Sequence, residues 1–118
     1  MQIQINTDEN VEGSEELSAH ITADINTRLD RYSEHITRVE VHLSDENAAK
    51  SGAHDKRCLI EARIEGLQPE AVSNESDTLE GAWSGAAKKM RHALDTTLGK
   101  RNHVKGGETI RASEGYDR

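Results

Sequence analysis

The chain has 118 residues and a formal net charge of −7, from 15 Lys and Arg against 22 Asp and Glu. That length suits one domain with a tail, and aromatic residues, at 3 %, are too few for a base-stacking platform. No apolar run approaches the ~20 residues of a membrane span, and the N-terminus lacks the features of a signal peptide. The lone cysteine, Cys58, excludes an internal disulfide. We therefore expect a cytoplasmic protein.

The first two elements along the chain are a strand and an amphipathic helix. Ile3 and Ile5 alternate with polar residues, which predicts a half-buried strand over residues 1–7. Ser14 is a good N-cap, and acidic residues follow it in the first turn, where the helix dipole favours them. The apolar spacing after this cap predicts one buried helix face, formed by Leu17, Ile21, Ile25, Leu29 and Tyr32.

Two further strands are predicted in the middle of the chain. Val39, Val41 and Leu43 alternate with charged residues and indicate a second strand. Residues 44–55 are polar and predict a loop. Residues 56–65 then predict a third strand in which Leu59 breaks the alternation. Its inward positions are Cys58, Ile60, Ala62 and Ile64.

A short fourth strand and a second helix complete the predicted domain. Residues 66–69 indicate a turn, and residues 70–74 close the hairpin as a strand. Asp77 followed three residues later by Glu80 is typical of a capping box, and Gly99 is a natural helix stop. The helix between them has an alanine-rich apolar face, formed by Leu79, Ala82, Trp83, Ala86, Ala87, Met90, Leu94 and Leu98.

This order of elements, β-α-β-β-β-α, predicts an α+β fold. The first two strands flank a helix and should be parallel, joined by a right-handed crossover, while hairpins join the later strands. We expect a mixed four-stranded sheet with both helices packed on one face and the other face open to water. Residues 1–99 would form this domain, and residues 100–118, which lack periodicity, would form a disordered polar tail.

The sequence offers little chemistry for catalysis or metal binding. None of the six histidines is spaced from another His or from Cys58 as a metal-ligand pair. On its core strand, Cys58 is best explained as a small buried apolar residue. No phosphate-binding loop motif occurs, and no carboxylate pair is isolated in an apolar segment. We therefore expect no catalytic residue, metal, cofactor or small-molecule substrate, and a small carboxylate enzyme is the least favoured alternative.

Positive charge is concentrated near the C-terminal end, where residues 88–105 hold six Lys and Arg against one acid, Asp95. Taken singly, such bases are explained as cations near a helix C-terminus, each worth about 0.3–1 kcal/mol. If the two helices lie side by side, antiparallel or crossed, the same bases would form one patch able to contact phosphates. The members of this patch would be Arg28 and Arg31 on the first helix and Lys88, Lys89, Arg91, His92, Lys100 and Arg101 on or just beyond the second.

Four features follow one another over about residues 1–101. They are the MQIQIN start, the run LDRYSEHITRVEVHL at residues 29–43, a polar loop before the third strand, and an acid-opened second helix with KM and Leu94 near its middle. In this order and spacing the chain resembles the short ribosome hibernation-promoting factors. That family is also called ribosome-associated inhibitor A, protein Y or sigma-54 modulation protein.

The resemblance implies a fold like that of a double-stranded RNA-binding domain and a non-enzymatic function. Family members bind the small ribosomal subunit in the mRNA–tRNA channel during stationary phase or stress, through basic helix side chains on ribosomal RNA. Arg28 and Lys89 fall where the family commonly has bases, His92 falls near another, and Lys100 and Arg101 match in kind. The chain resembles a short form, without the domain that pairs ribosomes, and we expect a monomer when it is free.

Some positions depart from the family pattern. Asp24 stands where a Lys is common, Thr96 and Leu98 stand in a region that is often Lys-rich, and Ser33 replaces a frequent Phe. Fewer phosphate contacts lower affinity and flatten its salt dependence. The alternative function is therefore that of a divergent acidic member that has lost strong ribosome binding and engages a protein partner. Bases that converge in space favour the ribosome, whereas bases scattered among acids favour the protein partner.

Overall fold

The computed structural model describes residues 1–8, 11, 14–45 and 55–106, with residues 100–106 described by their backbone alone. The elements follow the predicted order β-α-β-β-β-α. They are β1 (Gln2–Thr7), α1 (Glu15–Leu29) followed by a 3-10 helix (Asp30–Tyr32), β2 (Ile36–Asp45), β3 (Lys56–Ile64), β4 (Glu70–Ser76) and α2 (Leu79–Gly106).

The four strands form one mixed sheet in the order β1-β2-β3-β4. Strand β1 pairs with β2 in parallel, with Ile3 beside Val39. The remaining pairs are antiparallel, so Ile60 of β3 lies between Val41 of β2 and Val72 of β4. This is the predicted topology: among the described strands, the only parallel pair is the one joined through a helix.

Both helices pack on one face of the sheet, where alternate strand residues build the core. Helix α1 packs against β1, whereas α2 packs against β3 and β4. Cys58 is fully buried in this core, and burial raises the pKa of its thiol to about 12, so it behaves as an apolar residue. The other face carries polar side chains, with Arg38 opposite Arg63 and Glu40 opposite Glu61. Both helices thus share one layer, as predicted.

Both helix starts are capped by a side-chain hydroxyl. The Ser14 hydroxyl accepts a hydrogen bond from the Leu17 N–H at 3.0 Å, which confirms the predicted cap of α1. For α2 the predicted Asp77 cap is wrong, because the helix begins one residue later. The Thr78 hydroxyl accepts from the Gly81 N–H at 2.9 Å, while the Asp77 carboxylate accepts from Ser76.

Helix α2 is longer than the sequence pattern predicts. It continues through Gly99 to Gly106, so the predicted stop at Gly99 is wrong. A C-terminal cap glycine takes a left-handed conformation. Gly66, in the turn before β4, has such a φ of 78°, whereas Gly99 lies within the helix. Lys100 and Arg101 favour helix and lie inside α2 rather than beyond it. The remainder of the predicted tail, 107–118, and most of the predicted loop, 46–54, fall outside the described residues.

The close approach of α2 to β4 depends on a glycine. The Asn74 side chain of β4 donates to the main-chain oxygen of Gly81 at 3.2 Å, at the first turn of α2. A Cβ atom at Gly85 would overlap this Asn74 amide. At Gly99, by contrast, nothing lies within 4 Å of such an atom. Gly85 and Gly99 both lie in α2, but of these two only Gly85 lies where a side chain would overlap a neighbour.

We expect Gly85→Ala to lower the free energy of unfolding by about 1–3 kcal/mol, because the Asn74 amide must move and its hydrogen bond is lost. The matched Gly99→Ala should raise it by up to about 1 kcal/mol, because alanine favours helix over glycine. Urea unfolding followed by circular dichroism measures both. A destabilised Gly99→Ala would indicate that the helix ends at Gly99, and an unchanged Gly85→Ala would contradict the close approach.

Candidate nucleic-acid interface

The two helices lie side by side and run in the same sense. The rings of His20 on α1 and Trp83 near the start of α2 meet edge to face, with centroids 5.8 Å apart. Farther along, the Tyr32 hydroxyl that follows α1 reaches Arg91 and Asp95 of α2. Because the contacts advance along both helices together, an antiparallel pair is excluded. The C-terminal halves of both helices therefore lie at the same end of the domain.

Asp24 links the two helices near the start of α2. The Trp83 indole N–H donates to Asp24 Oδ2 at 2.8 Å, and the Arg28 Nε–H donates to the same oxygen at 2.9 Å. We call these three residues the Asp24 clasp. Burial raises the pKa of Asp24, but the hydrogen bonds from Trp83 and Arg28 and the charge of Arg28 outweigh it. The pKa of Asp24 is therefore lowered, and the carboxylate is held ionised between the helices.

Asp95 makes a similar contact from the other helix. The Tyr32 hydroxyl donates to Asp95 Oδ1 at 2.6 Å, and Arg31 Nη2 lies 3.6 Å from the same oxygen. The Arg31 guanidinium also lies 5.2 Å from the centre of the Tyr32 ring, a cation–π arrangement. We call Asp95, Tyr32 and Arg31 the Asp95 clasp. Burial and the hydrogen bond to Asp95 raise the pKa of Tyr32, so its hydroxyl remains a donor.

Four of the predicted bases lie on the parts of the two helices that carry these clasps. Arg91 lies on the flank of α2 that faces α1, since its main-chain oxygen accepts from Tyr32. Lys88 lies three residues earlier and so on the same side of the helix. With the two clasp arginines, Lys88 and Arg91 form what we call the seam surface: Arg28, Arg31, Lys88 and Arg91. Lys88, Arg91 and the neighbouring His92 are exposed, and a hydrogen bond with the Arg91 side chain lowers the pKa of Tyr32 against the larger causes that raise it. Within the described residues, Lys88 and Arg91 have no acidic partner.

The other predicted bases are not brought to the seam surface. Lys89 follows Lys88 by about 100° around the helix and lies on the opposite flank. Its ammonium donates to the main-chain oxygen of Ser73 on β4 at 2.9 Å. Lys100 and Arg101 lie on the last turns of α2, and only their backbone belongs to the described part of the chain. Sequence reasoning therefore grouped residues that occupy two different flanks of one helix.

The two aspartates are the residues that sequence reasoning missed. In the sequence, Asp24 stands out only as a departure from the family pattern. Its spacing of four from Arg28 is nevertheless typical of an ion pair on a helix. Its bond to Trp83, across 59 positions of the chain, has no local signal. The hydrogen bond between Tyr32 and Asp95, which are 63 positions apart, also has no local signal in the sequence. In the described ranges, no three His, Cys, Asp or Glu residues form a metal-binding group, and no helix is long and apolar enough to cross a membrane.

The Asp24 clasp should make stability depend on pH. The lowered pKa of Asp24 means that its ionised form stabilises the fold fully above about pH 5. This contribution is lost as the pH falls through the unfolded value of about 3.9 and then through the lower folded value. We therefore expect wild type to lose stability more steeply than Asp24→Asn between about pH 5 and 3. Urea midpoints measured by Trp83 fluorescence test this, and equal slopes would contradict it.

Comparisons with known proteins agree with this fold. A family model described as "Sigma 54 modulation protein / S30EA ribosomal protein" matches residues 3–102. The crystal structure of the N-terminal domain of Protein Y from Thermus thermophilus superposes with a TM-score of 0.66 at 20% identity, covering 82% of this chain and 99% of that one. A ribosomal subunit interface protein from Coxiella burnetii superposes with a TM-score of 0.57 at 19% identity, covering 86% and 98%.

No curated protein matches the chain in sequence. At about 20% identity, the two solved structures show a shared fold. The family model covers most of the chain, from residue 3 in β1 to residue 102 in α2. The chain therefore belongs to the Sigma 54 modulation protein / S30EA ribosomal protein family, a family of ribosome-associated factors.

Proposed function

We propose that this protein is a ribosome hibernation factor that binds the small ribosomal subunit in the channel used by mRNA and tRNA. Its family associates with ribosomes, and a protein that shares its fold is described as a ribosomal subunit interface protein. The observation that supports the proposal is the seam surface, where Lys88 and Arg91 have no acidic partner in the described structure. They lie on α2 beside Arg28 and Arg31 of the first helix, which pair with Asp24 and Asp95.

The seam surface suits the sugar–phosphate backbone of folded RNA. A-form RNA is recognised largely by its shape and its phosphates, because side chains do not reach the bases in its deep groove. Arginine offers a planar fork of donors that matches two phosphate oxygens, and lysine supplies a compact charge. Two of the four seam bases, Lys88 and Arg91, are exposed and have no acidic partner in the described structure. These two are the proposed primary contacts.

Inhibition would follow from occupancy rather than from chemistry. A folded domain in the channel excludes mRNA and tRNA by its volume, and this mechanism requires no nucleophile, metal or cofactor. We propose that one copy of the chain acts on one cytoplasmic small subunit. Lys89, His92, Lys100 and Arg101 are secondary contacts in this proposal. Lys89 would have to leave the Ser73 oxygen before it could bind a phosphate.

A single charge reversal should separate the seam surface from the rest of the protein. We expect Arg91→Glu to weaken co-sedimentation with small subunits by at least about 10-fold, since a phosphate contact is replaced by repulsion. The matched control is Arg63→Glu on the open face of the sheet, which has the same change in charge and is also exposed. Circular dichroism would verify both folds. Equal losses would mean that net charge alone sets binding, and no loss at Arg91 would contradict this site.

The salt dependence of binding should report the number of phosphate contacts. Each contact contributes about 0.7–0.9 to the slope of log K against log salt concentration. We expect the double variant Lys88→Ala/Arg91→Ala to flatten this slope by roughly 1.4–1.8, whereas Arg63→Ala should leave it unchanged. Binding isotherms with isolated small subunits at several salt concentrations measure the slope. A double variant with the wild-type slope would exclude direct phosphate contacts from these two residues.

A further inference from the structure

Two of the four seam bases already have an anionic partner within the protein. Arg28 Nε lies 2.9 Å from Asp24 Oδ2, and Arg31 Nη2 lies 3.6 Å from Asp95 Oδ1. The Arg28 and Asp24 side chains are about a third exposed, whereas those of Arg31 and Asp95 are mostly exposed. Each carboxylate is also bonded to an aromatic residue across the seam, Asp24 to Trp83 and Asp95 to Tyr32. Each aspartate is therefore held against an arginine that a phosphate could also bind.

A carboxylate held there affects phosphate binding in two ways. It occupies donors of the guanidinium that a phosphate would need, because both anions bind arginine through the same N–H groups. It also repels a phosphate that approaches the neighbouring bases, and this repulsion is strongest at low ionic strength. Trp83 and Tyr32 keep the carboxylates from turning away, since each aromatic residue is almost fully buried.

We infer that Asp24 and Asp95 restrain the RNA affinity of the seam surface by acting as internal competitors for Arg28 and Arg31. The inference rests on the proposed function and adds a regulation of the same site. The seam surface then has two primary bases, Lys88 and Arg91, and two bases held in reserve. RNA engages the reserve pair only by displacing a carboxylate, so binding is weaker than the four bases alone would give.

The test uses Asp24→Asn and Asp95→Asn. Asparagine keeps an oxygen that accepts from Trp83 or Tyr32, but it carries no charge to hold the arginine. We expect each variant to bind isolated small subunits about 3- to 10-fold more tightly at low salt, with a salt slope steeper by about 1. The matched control is Glu75→Gln, exposed on the open face of the sheet, which removes the same charge and should change affinity by less than about 2-fold.

Trp83 provides a second measurement, because it is the one tryptophan of the chain and lies in the Asp24 clasp. Binding that draws Arg28 away from Asp24 should change its emission in wild type, and should change it less in Asp24→Asn. Thermal unfolding verifies that each variant folds. The two clasps are separate, so if one variant fails to fold the other decides the question.

The outcomes separate this inference from the proposed function. Tighter binding by the asparagine variants, without a gain for Glu75→Gln, supports the restraint. Equal or weaker binding overturns it, and weaker binding would mean that the aspartates position the arginines for RNA instead. If neither wild type nor any variant binds small subunits, the proposed function fails and the restraint fails with it. If only the asparagine variants bind, the restraint holds and the proposed function of the wild-type protein fails.

Discussion

The hydrogen bond from the Trp83 indole to Asp24 links the core of this domain to its surface. Trp83 is almost fully buried between the helices, and a buried indole N–H needs an acceptor. Asp24 supplies that acceptor from the other helix and pairs with Arg28 at the same time. The packing of α1 against α2, the ionisation of Asp24 and the position of Arg28 therefore depend on one another. A change at any of the three residues affects helix packing and surface charge together.

The fold was largely predictable because its signals are local. Alternation along the strands, the Ser14 cap and the four-residue spacing on α1 each involve neighbours in sequence, and the structure confirms them. The ends of α2 were not predictable in the same way. Thr78 and Asp77 are adjacent residues that can both cap a helix, and Thr78 is the cap in the structure. Nothing in the sequence around Gly99 distinguishes a glycine inside a helix from one at its end. In both cases the choice depends on where α2 packs against the sheet.

The arrangement of the bases was predictable only in part. The spacing of three between Lys88 and Arg91 places them on one side of any helix, and the structure brings them to the seam. The adjacent Lys89 lies on the other flank of α2, and helical geometry alone could have separated it. The direction of the two helices relative to each other, and the two aspartates that join them, depend on contacts between distant parts of the chain.

The contact between Lys89 and Ser73 affects association of the protein through the edge of its sheet. Strand β4 is an edge of the sheet, and the free backbone groups of an edge strand are a template on which another chain can add a strand. The Lys89 ammonium is bonded to one backbone oxygen of this edge. A strand that added through that oxygen would first have to displace a charged group, and its own side chains would then lie close to that charge. This lysine therefore opposes aggregation along β4.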